Sequence, residues 1–101
     1  MICDIEGMMP RRATEDSVGY DIYAPADMVI TTVPQTFDLG FRFEKGDLPA
    51  CSCALMMPRS STGNKLGLHI RGTMGLIDPD YYENVKVTLV VDEGKVEFKK
   101  G

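Results

Sequence analysis

The chain has 101 residues, a net charge of −4 and 44% hydrophobic residues. These values predict one small globular domain over residues 1–101, because the hydrophobic fraction is too high for a disordered chain. The negative charge argues against a nucleic-acid partner, and no apolar stretch is long enough to cross a membrane or to act as a secretory signal.

Ten glycines and six prolines divide the chain into short segments and leave no window for a long amphipathic helix. Most of these segments favour strands, and in residues 37–43 apolar residues occupy every second position. We therefore predict an all-β fold of the sandwich or barrel type. The predicted strands are 19–23, 28–32, 37–43, 50–57, 68–70, 75–77, 85–91 and 96–98. Residues 62–66 are predicted to form one helical turn at most.

Cysteine and histidine usage limits the metal chemistry. Cys51 and Cys53 lie two residues apart on a predicted strand, so they point to the same face and do not bridge. They are predicted to be buried free thiols, and the odd number of cysteines, with Cys3 as the third, favours a reduced, cytoplasmic setting. The single histidine, His69, excludes a zinc site that needs several histidines.

Two polar clusters interrupt the predicted strands. Residues 17–24 contain Asp21 among apolar neighbours, and a strand-end aspartate that caps a turn is the simpler interpretation of that residue. Residues 58–65 combine Arg59 with three hydroxyls, a lysine and backbone N–H groups near Gly63. That combination suits an oligophosphate, and the alternative is a polar loop without a ligand.

A third cluster covers residues 75–82. Here Gly75 to Ile77 predicts a strand, Asp78-Pro79-Asp80 predicts a turn, and residues 85–89 alternate as a second strand of a hairpin. Asp78 is suited to accept a proton from water, and Tyr81 to pack its ring on a sugar or base. The alternative is an ordinary solvated turn.

In chain order, the stretches GYDIYA, PRSSTG and GLIDPDY resemble the first three motifs of the homotrimeric dUTPase family. The preceding stretch PRRATEDSV is similar to that family's N-terminal strand, and PRSSTGNKLGL is similar to dUTPases of phages and prophages. The resemblance covers nearly the whole chain. It implies a dUTPase-like distorted jelly roll or β-barrel, hydrolysis of dUTP with Mg²⁺, and a homotrimer with shared active sites in the cytoplasm.

The resemblance also implies a role for each matching residue in the reaction. Asp78 is expected to orient and deprotonate the water that attacks the α-phosphorus, which releases pyrophosphate and dUMP. Arg59, Ser60 and Ser61 are expected to contact the phosphates. Asp21 is expected to hold the Mg²⁺ ion through a water molecule.

Recognition of the nucleoside is expected at the third motif. The resemblance implies that Tyr81 lies against the deoxyribose and leaves no room for a 2′-hydroxyl. Backbone groups of the hairpin, including Gly75 and Ile77, are expected to bind the uracil edge. The arginine-glycine pair that follows the tyrosine in the family is replaced by Tyr82-Glu83.

Residues 98–101 resemble the lead-in to the family's fourth motif, so the chain is expected to be truncated before the fourth and fifth motifs. One alternative function is therefore a non-catalytic dUTPase-fold module that binds a nucleotide or a protein. A second is a dCTP deaminase-like activity. Deaminases of that kind have a catalytic glutamate after a threonine-leucine pair, whereas Val90 follows Thr88-Leu89 here.

Overall fold

The computed structural model describes residues 1–72 and 74–101. Short strands dominate that part of the chain, so the all-β prediction is confirmed. The elements are β1 (Ile2–Cys3), β2 (Met28–Thr31), β3 (Gln35–Asp38), β4 (Phe41–Arg42), β5 (Ala54–Met56), α1 (Ser60–Leu66), β6 (Leu68–Ile70), β7 (Gly75–Ile77), β8 (Lys86–Val91) and β9 (Lys95–Phe98). No helix of the described residues is both long enough and apolar enough to cross a membrane.

Strand pairing among the described residues is antiparallel throughout. The largest sheet has the order β3–β8–β6, and the other strands form the two-stranded sheets β1–β4, β2–β9 and β5–β7. The described strands therefore form four small sheets and not a closed barrel. Most of these pairs join strands that are far apart in the sequence, so packing, rather than short hairpin turns, brings them together.

Within residues 1–72 and 74–101, the core consists of two clusters that share strands β6 and β8. Leu68 and Val91 belong to the first cluster, which surrounds the fully buried Ile30. Ile70 and Val87, at the other end of the same two strands, belong to the second cluster. Alternation along each strand turns these side chains inward. Complete burial of one such aliphatic side chain contributes about 1.5–3 kcal/mol, so this pair of strands anchors the fold.

The predicted strand at residues 19–23 is wrong. Only a single bridge forms there, between Arg11 and Asp21, with the Asp21 N–H donating to the Arg11 carbonyl at 2.8 Å and the Arg11 N–H donating back at 3.3 Å. Val18 is 93% and Tyr20 is 58% exposed, so this segment has no core to cover its apolar side chains. Without that burial, β-prone composition does not produce a sheet strand.

The predicted strand at residues 37–43 is interrupted. Leu39 and Phe41 are buried, as the alternation predicts, but the chain changes partners between them: β3 pairs with β8, and β4 with β1. Gly40 makes the change possible with a φ of +76°, and its N–H donates to the Asp38 carboxylate at 2.8 Å. A Cβ at Gly40 would lie 2.5 Å from the Ile5 Cδ1, so a side chain at this position would require Ile5 to shift, in addition to the strain of the positive φ.

The cysteine prediction is confirmed for the free thiols but wrong for their burial. Cys3 is half-buried, whereas Cys51 and Cys53 are exposed. The predicted strand 50–57 extends only over β5. Cys51 has a φ of 61°, which belongs to a turn, so neither Cys51 nor Cys53 lies within a strand that would bury it.

Candidate functional site

The segment after β7 forms a turn whose tip carries an acid and an aromatic ring. The Tyr81 N–H donates to the Asp78 carbonyl at 3.2 Å, and Pro79 occupies the position that favours this turn. The Tyr81 hydroxyl donates to the Asn84 carbonyl at 3.1 Å. Tyr81 is thus held at both its backbone and its side chain.

The predicted hairpin ladder on the two sides of this turn is wrong. β7 pairs with β5, and β8 pairs with β3 and β6. Eight residues, 78–85, separate β7 from β8. This connection is much longer than the two-residue loops that fix a hairpin register, so each strand pairs with a partner supplied by the tertiary fold.

A cleft of about 180 Å³ opens beside the turn. Its floor is core, because Ile77 is 9% and Val85 is 2% exposed. The exposed Asp78 and Tyr81 form its mouth, together with Lys86. Lys86 was not singled out from the sequence, although the alternation along 85–87 places it outward between two buried valines.

A second and larger groove, of about 750 Å³, lies along the first two polar clusters. Residues 17–24 and 55–59 contribute most of its lining, and Asp21 and Arg59 both face it. The structure therefore brings these two predicted site residues together. Asp21 is half-buried, and its backbone is fixed by the bridge to Arg11. The Arg11 Nε in turn donates to the Tyr23 hydroxyl at 2.9 Å.

The predicted phosphate loop is a helix over most of its length. α1 begins after Arg59, which has extended backbone angles, and ends before Gly67, which is left-handed with a φ of 65°. Its seven residues make nearly two turns, so the prediction of one turn at most is wrong. The Gly63 N–H donates to the Arg59 carbonyl at 2.8 Å, so that N–H is not free for a ligand.

Three predicted binding residues lie outside the linings of the two openings. Ser60 and Ser61 are exposed in the first turn of α1, beside the groove, while Thr62 lines it. Gly75 pairs with Met56, and a Cβ on Gly75 would lie 3.3 Å from the Met56 Cε. Gly75 therefore permits close packing of β5 on β7, which is a structural role.

The two openings do not share a lining residue. Antiparallel pairing of β5 and β7 sets Ala54 opposite Ile77, so one further step places Asp78 opposite Cys53. Arg59 leaves the other end of β5, six residues along from Cys53. Asp78 and Arg59 therefore follow opposite ends of the β5–β7 pair.

At the position expected for a deaminase glutamate, β8 places a core residue. Val90 is 9% exposed and pairs with His69 of β6. An aliphatic side chain that belongs to the core has no group that could transfer a proton. The position where a dCTP deaminase-like activity needs a catalytic glutamate is therefore occupied by a residue without an acidic group.

Comparison with known proteins supplies the family. The family model described as dUTPase matches residues 6–101. A protein of Idiomarina loihiensis named deoxyuridine 5′-triphosphate nucleotidohydrolase is 36% identical over 83 residues, which cover 79% of this chain and 54% of the relative. A protein of the same name from Corynebacterium jeikeium is 36% identical over 100 residues, covering 97% of this chain and 63% of the relative. The chain thus spans less than two thirds of the length of these relatives.

Proposed function

The chain belongs to the dUTPase family, and on that premise we propose that it hydrolyses dUTP to dUMP and pyrophosphate in the cytoplasm of a bacterium or a phage-infected host cell. The main observation in support of the proposal is that Asp78 and Tyr81 line the same cleft. Whole ligand pockets measure about 300–1,000 Å³, so the cleft of about 180 Å³ suits one part of a nucleotide.

Asp78 is the proposed catalytic residue. Its carboxylate is exposed at the mouth of the cleft, where it accepts a proton from a water molecule. The oxygen of that water forms a bond to the α-phosphorus, and the bond from the α-phosphorus to the bridging oxygen of the β-phosphate breaks. Pyrophosphate is the leaving group. A reaction of this type depends chiefly on positioning and charge neutralisation, which a carboxylate and cations that bind the phosphates provide.

Recognition of the nucleoside is proposed for the inside of the same cleft. Tyr81, held by two hydrogen bonds, presents its ring to the deoxyribose and leaves no room for a 2′-hydroxyl. Ile77 supports the base from the floor, and backbone groups of residues 75–77 are proposed to bind the uracil edge. Gly75 is proposed to take part through its backbone, and its lack of a side chain also leaves room for Met56.

The triphosphate is proposed to bind along the larger groove. Arg59 lines that groove, and a guanidinium matches the geometry of phosphate oxygens. Ser60 and Ser61 stand next to it on the exposed first turn of α1, within reach of a chain of phosphates that follows the groove wall. Their hydroxyls then donate hydrogen bonds to phosphate oxygens.

Asp21 fits a role in binding Mg²⁺ through water. Among residues 1–72 and 74–101, no group of three acidic, histidine or cysteine side chains is placed to hold a metal. Magnesium typically keeps several waters and uses one or two carboxylates plus substrate phosphates. One half-buried carboxylate in the same groove as Arg59 agrees with that pattern. When bound, the ion would neutralise charge on the phosphates.

A homotrimer with shared sites is proposed because the predicted site residues of one chain lie at two separate openings. Asp78 and Arg59 lie at opposite ends of the β5–β7 pair, and a triphosphate with its nucleoside must contact both. A second copy that places its Arg59 groove against the Asp78 cleft completes the site. Cyclic association of identical chains repeats this contact at each interface.

The test is release of pyrophosphate from dUTP in the presence of Mg²⁺, with dTTP, dCTP and UTP as competing substrates. We expect turnover of dUTP alone, since the proposed cleft rejects a 5-methyl group, a 4-amino group and a 2′-hydroxyl. Calorimetry with a non-hydrolysable dUTP analogue accompanies the assay. Binding without turnover would favour the non-catalytic module, and absence of both would refute the proposed function.

A further inference from the structure

A chain of polar side chains supports the turn that carries Asp78 and Tyr81. The Arg42 Nη1 lies 2.8 Å from the Asp4 carboxylate and donates to the Asn84 side-chain oxygen at 3.3 Å. The Asn84 amide nitrogen donates to the Asp38 carboxylate, at 3.3 Å to one oxygen and 3.4 Å to the other. The Asn84 side chain is therefore hydrogen-bonded to Asp38 of β3 and to Arg42 of β4.

The backbone of residue 84 continues this chain of contacts to the cleft. The peptide unit between Asn84 and Val85 donates its N–H to the Phe41 carbonyl at 2.8 Å. Its C=O accepts the Tyr81 hydroxyl at 3.1 Å. Because the peptide unit is planar and trans, its N–H and C=O point in opposite directions, so a fixed N–H also aims the carbonyl at Tyr81.

The geometry points to a positioning clamp, formed by Arg42, Asn84 and Asp38, that orients the Tyr81 ring against the nucleotide. This inference rests on the proposed function for the identity of the ligand. Asn84 is a positioning residue, since it is bonded to Tyr81 but does not itself line the cleft. Its amide is suited to the task because it is both donor and acceptor, and here it meets a carboxylate on one side and a guanidinium on the other.

The first test removes the side chain of Asn84. In Asn84→Ala we expect affinity for a non-hydrolysable dUTP analogue to fall roughly fivefold, the effect of one or two modest hydrogen bonds. The KM for dUTP rises in parallel, while kcat changes by less than about twofold because Asp78 is retained. Gln35→Ala is the matched control, since it removes an exposed amide from β3 and leaves the clamp intact.

Two double variants separate positioning from general destabilisation. Asn84→Asp places a carboxylate against Asp38 and is expected to weaken binding. Adding Asp38→Asn to Asn84→Asp restores a hydrogen-bond donor between residues 38 and 84. The double variant should therefore bind the dUTP analogue with an affinity within about twofold of the wild type. In a Tyr81→Phe background, Asn84→Ala is expected to have no further effect, because the hydroxyl link is already absent.

A measurement without nucleotide distinguishes failure of the clamp from failure of the proposed function. Hydrogen exchange at the Tyr81 amide, which bonds the Asp78 carbonyl, should accelerate about fivefold in Asn84→Ala and return in the swapped double variant. Unchanged exchange, failure of the swap, or additive effects of Asn84 and Tyr81 would each overturn the clamp. If the wild type binds no nucleotide, the proposed function fails, and the exchange rates still decide whether the clamp exists.

Discussion

Asp78 and Arg59 leave the two-stranded β5–β7 sheet from opposite ends, because the antiparallel register sets Ala54 against Ile77 and Met56 against Gly75. The proposed base and the proposed phosphate ligand of one chain therefore point to different openings. This arrangement is the strongest structural argument for a site completed by a second copy of the chain.

Mixing two defective variants tests that arrangement. At a dUTP concentration well below the KM of Arg59→Ala, Asp78→Asn and Arg59→Ala should each be nearly inactive alone. A refolded equal mixture should regain about a quarter of wild-type activity, because a complete site needs an intact Asp78 from one chain and an intact Arg59 from its neighbour, and each is present half of the time. Pyrophosphate release is the readout. Two differently tagged chains, purified as a mixed oligomer that remains inactive, would contradict shared sites.

Removal of the proposed base should affect the chemical step. Asp78→Asn is expected to lower kcat by about 10²–10⁴-fold with little change in the KM for dUTP, which is the usual contribution of a general base. Asp80→Asn is the control, because Asp80 is an exposed acid of the same turn that does not line the cleft. Equal rates in the two variants would remove Asp78 from the mechanism.

Arg59→Ala should weaken binding of the triphosphate selectively. Loss of a charge-assisted phosphate contact is expected to raise the Kd of a dUTP analogue roughly 10–100-fold, while the Kd of dUMP stays nearly unchanged because dUMP lacks the outer phosphates. Calorimetry gives both constants. Arg71→Ala, which removes an exposed guanidinium away from both openings, should leave them unaltered. A parallel loss of dUMP affinity would place Arg59 elsewhere.

The requirement for magnesium should depend on Asp21. We expect chelation of divalent metal to abolish turnover. We expect Asp21→Asn to raise the Mg²⁺ concentration for half-maximal rate about tenfold, since residues that hydrogen-bond to the ligands of a metal typically contribute about 10–100-fold in affinity. A titration of rate against Mg²⁺ measures this shift. Asp16→Asn, an exposed acid outside the groove lining, should give the wild-type curve.

Gly40 is predicted to be a stability determinant through close packing. Gly40→Ala combines a positive φ with a contact to Ile5 and should lower the free energy of unfolding by about 2 kcal/mol or more. Gly46→Ala shares the positive φ, at +91°, but has open space around it, so it should cost only about 1 kcal/mol. Urea denaturation compares the two. If Gly40→Ala and Gly46→Ala lowered the free energy of unfolding equally, Ile5 would have to shift without measurable cost.

Local sequence signals predicted several elements well. The strand predicted at 68–70 coincides with β6, and those at 28–32, 85–91 and 96–98 differ from β2, β8 and β9 by one residue at an end. In each case apolar and β-branched side chains alternate and have a core to face. The turn from Asp78 to Tyr81 was also predictable, since proline and aspartate favour it.

Other errors arose where a segment needed a partner that local sequence does not reveal. The residues of 19–23 look β-prone but form only the single bridge to Arg11, and Val18 and Tyr20 beside that bridge stay exposed. β7 and β8 are neighbours in sequence but are hydrogen-bonded to different strands. The Asn84 clamp joins side chains up to 46 residues apart, so no short-range pattern could have indicated it.

By itself, the sequence determined the all-β class, the dUTPase resemblance and the three polar clusters that carry the candidate site, because composition, turn residues and motif order are local properties of the chain. Only the tertiary structure decided that Asp21 and Arg59 share one groove while Asp78 and Tyr81 lie at another, and that Asn84 holds Tyr81. The physical reason is that strand register and side-chain networks depend on contacts between distant segments, which form only when the core is packed.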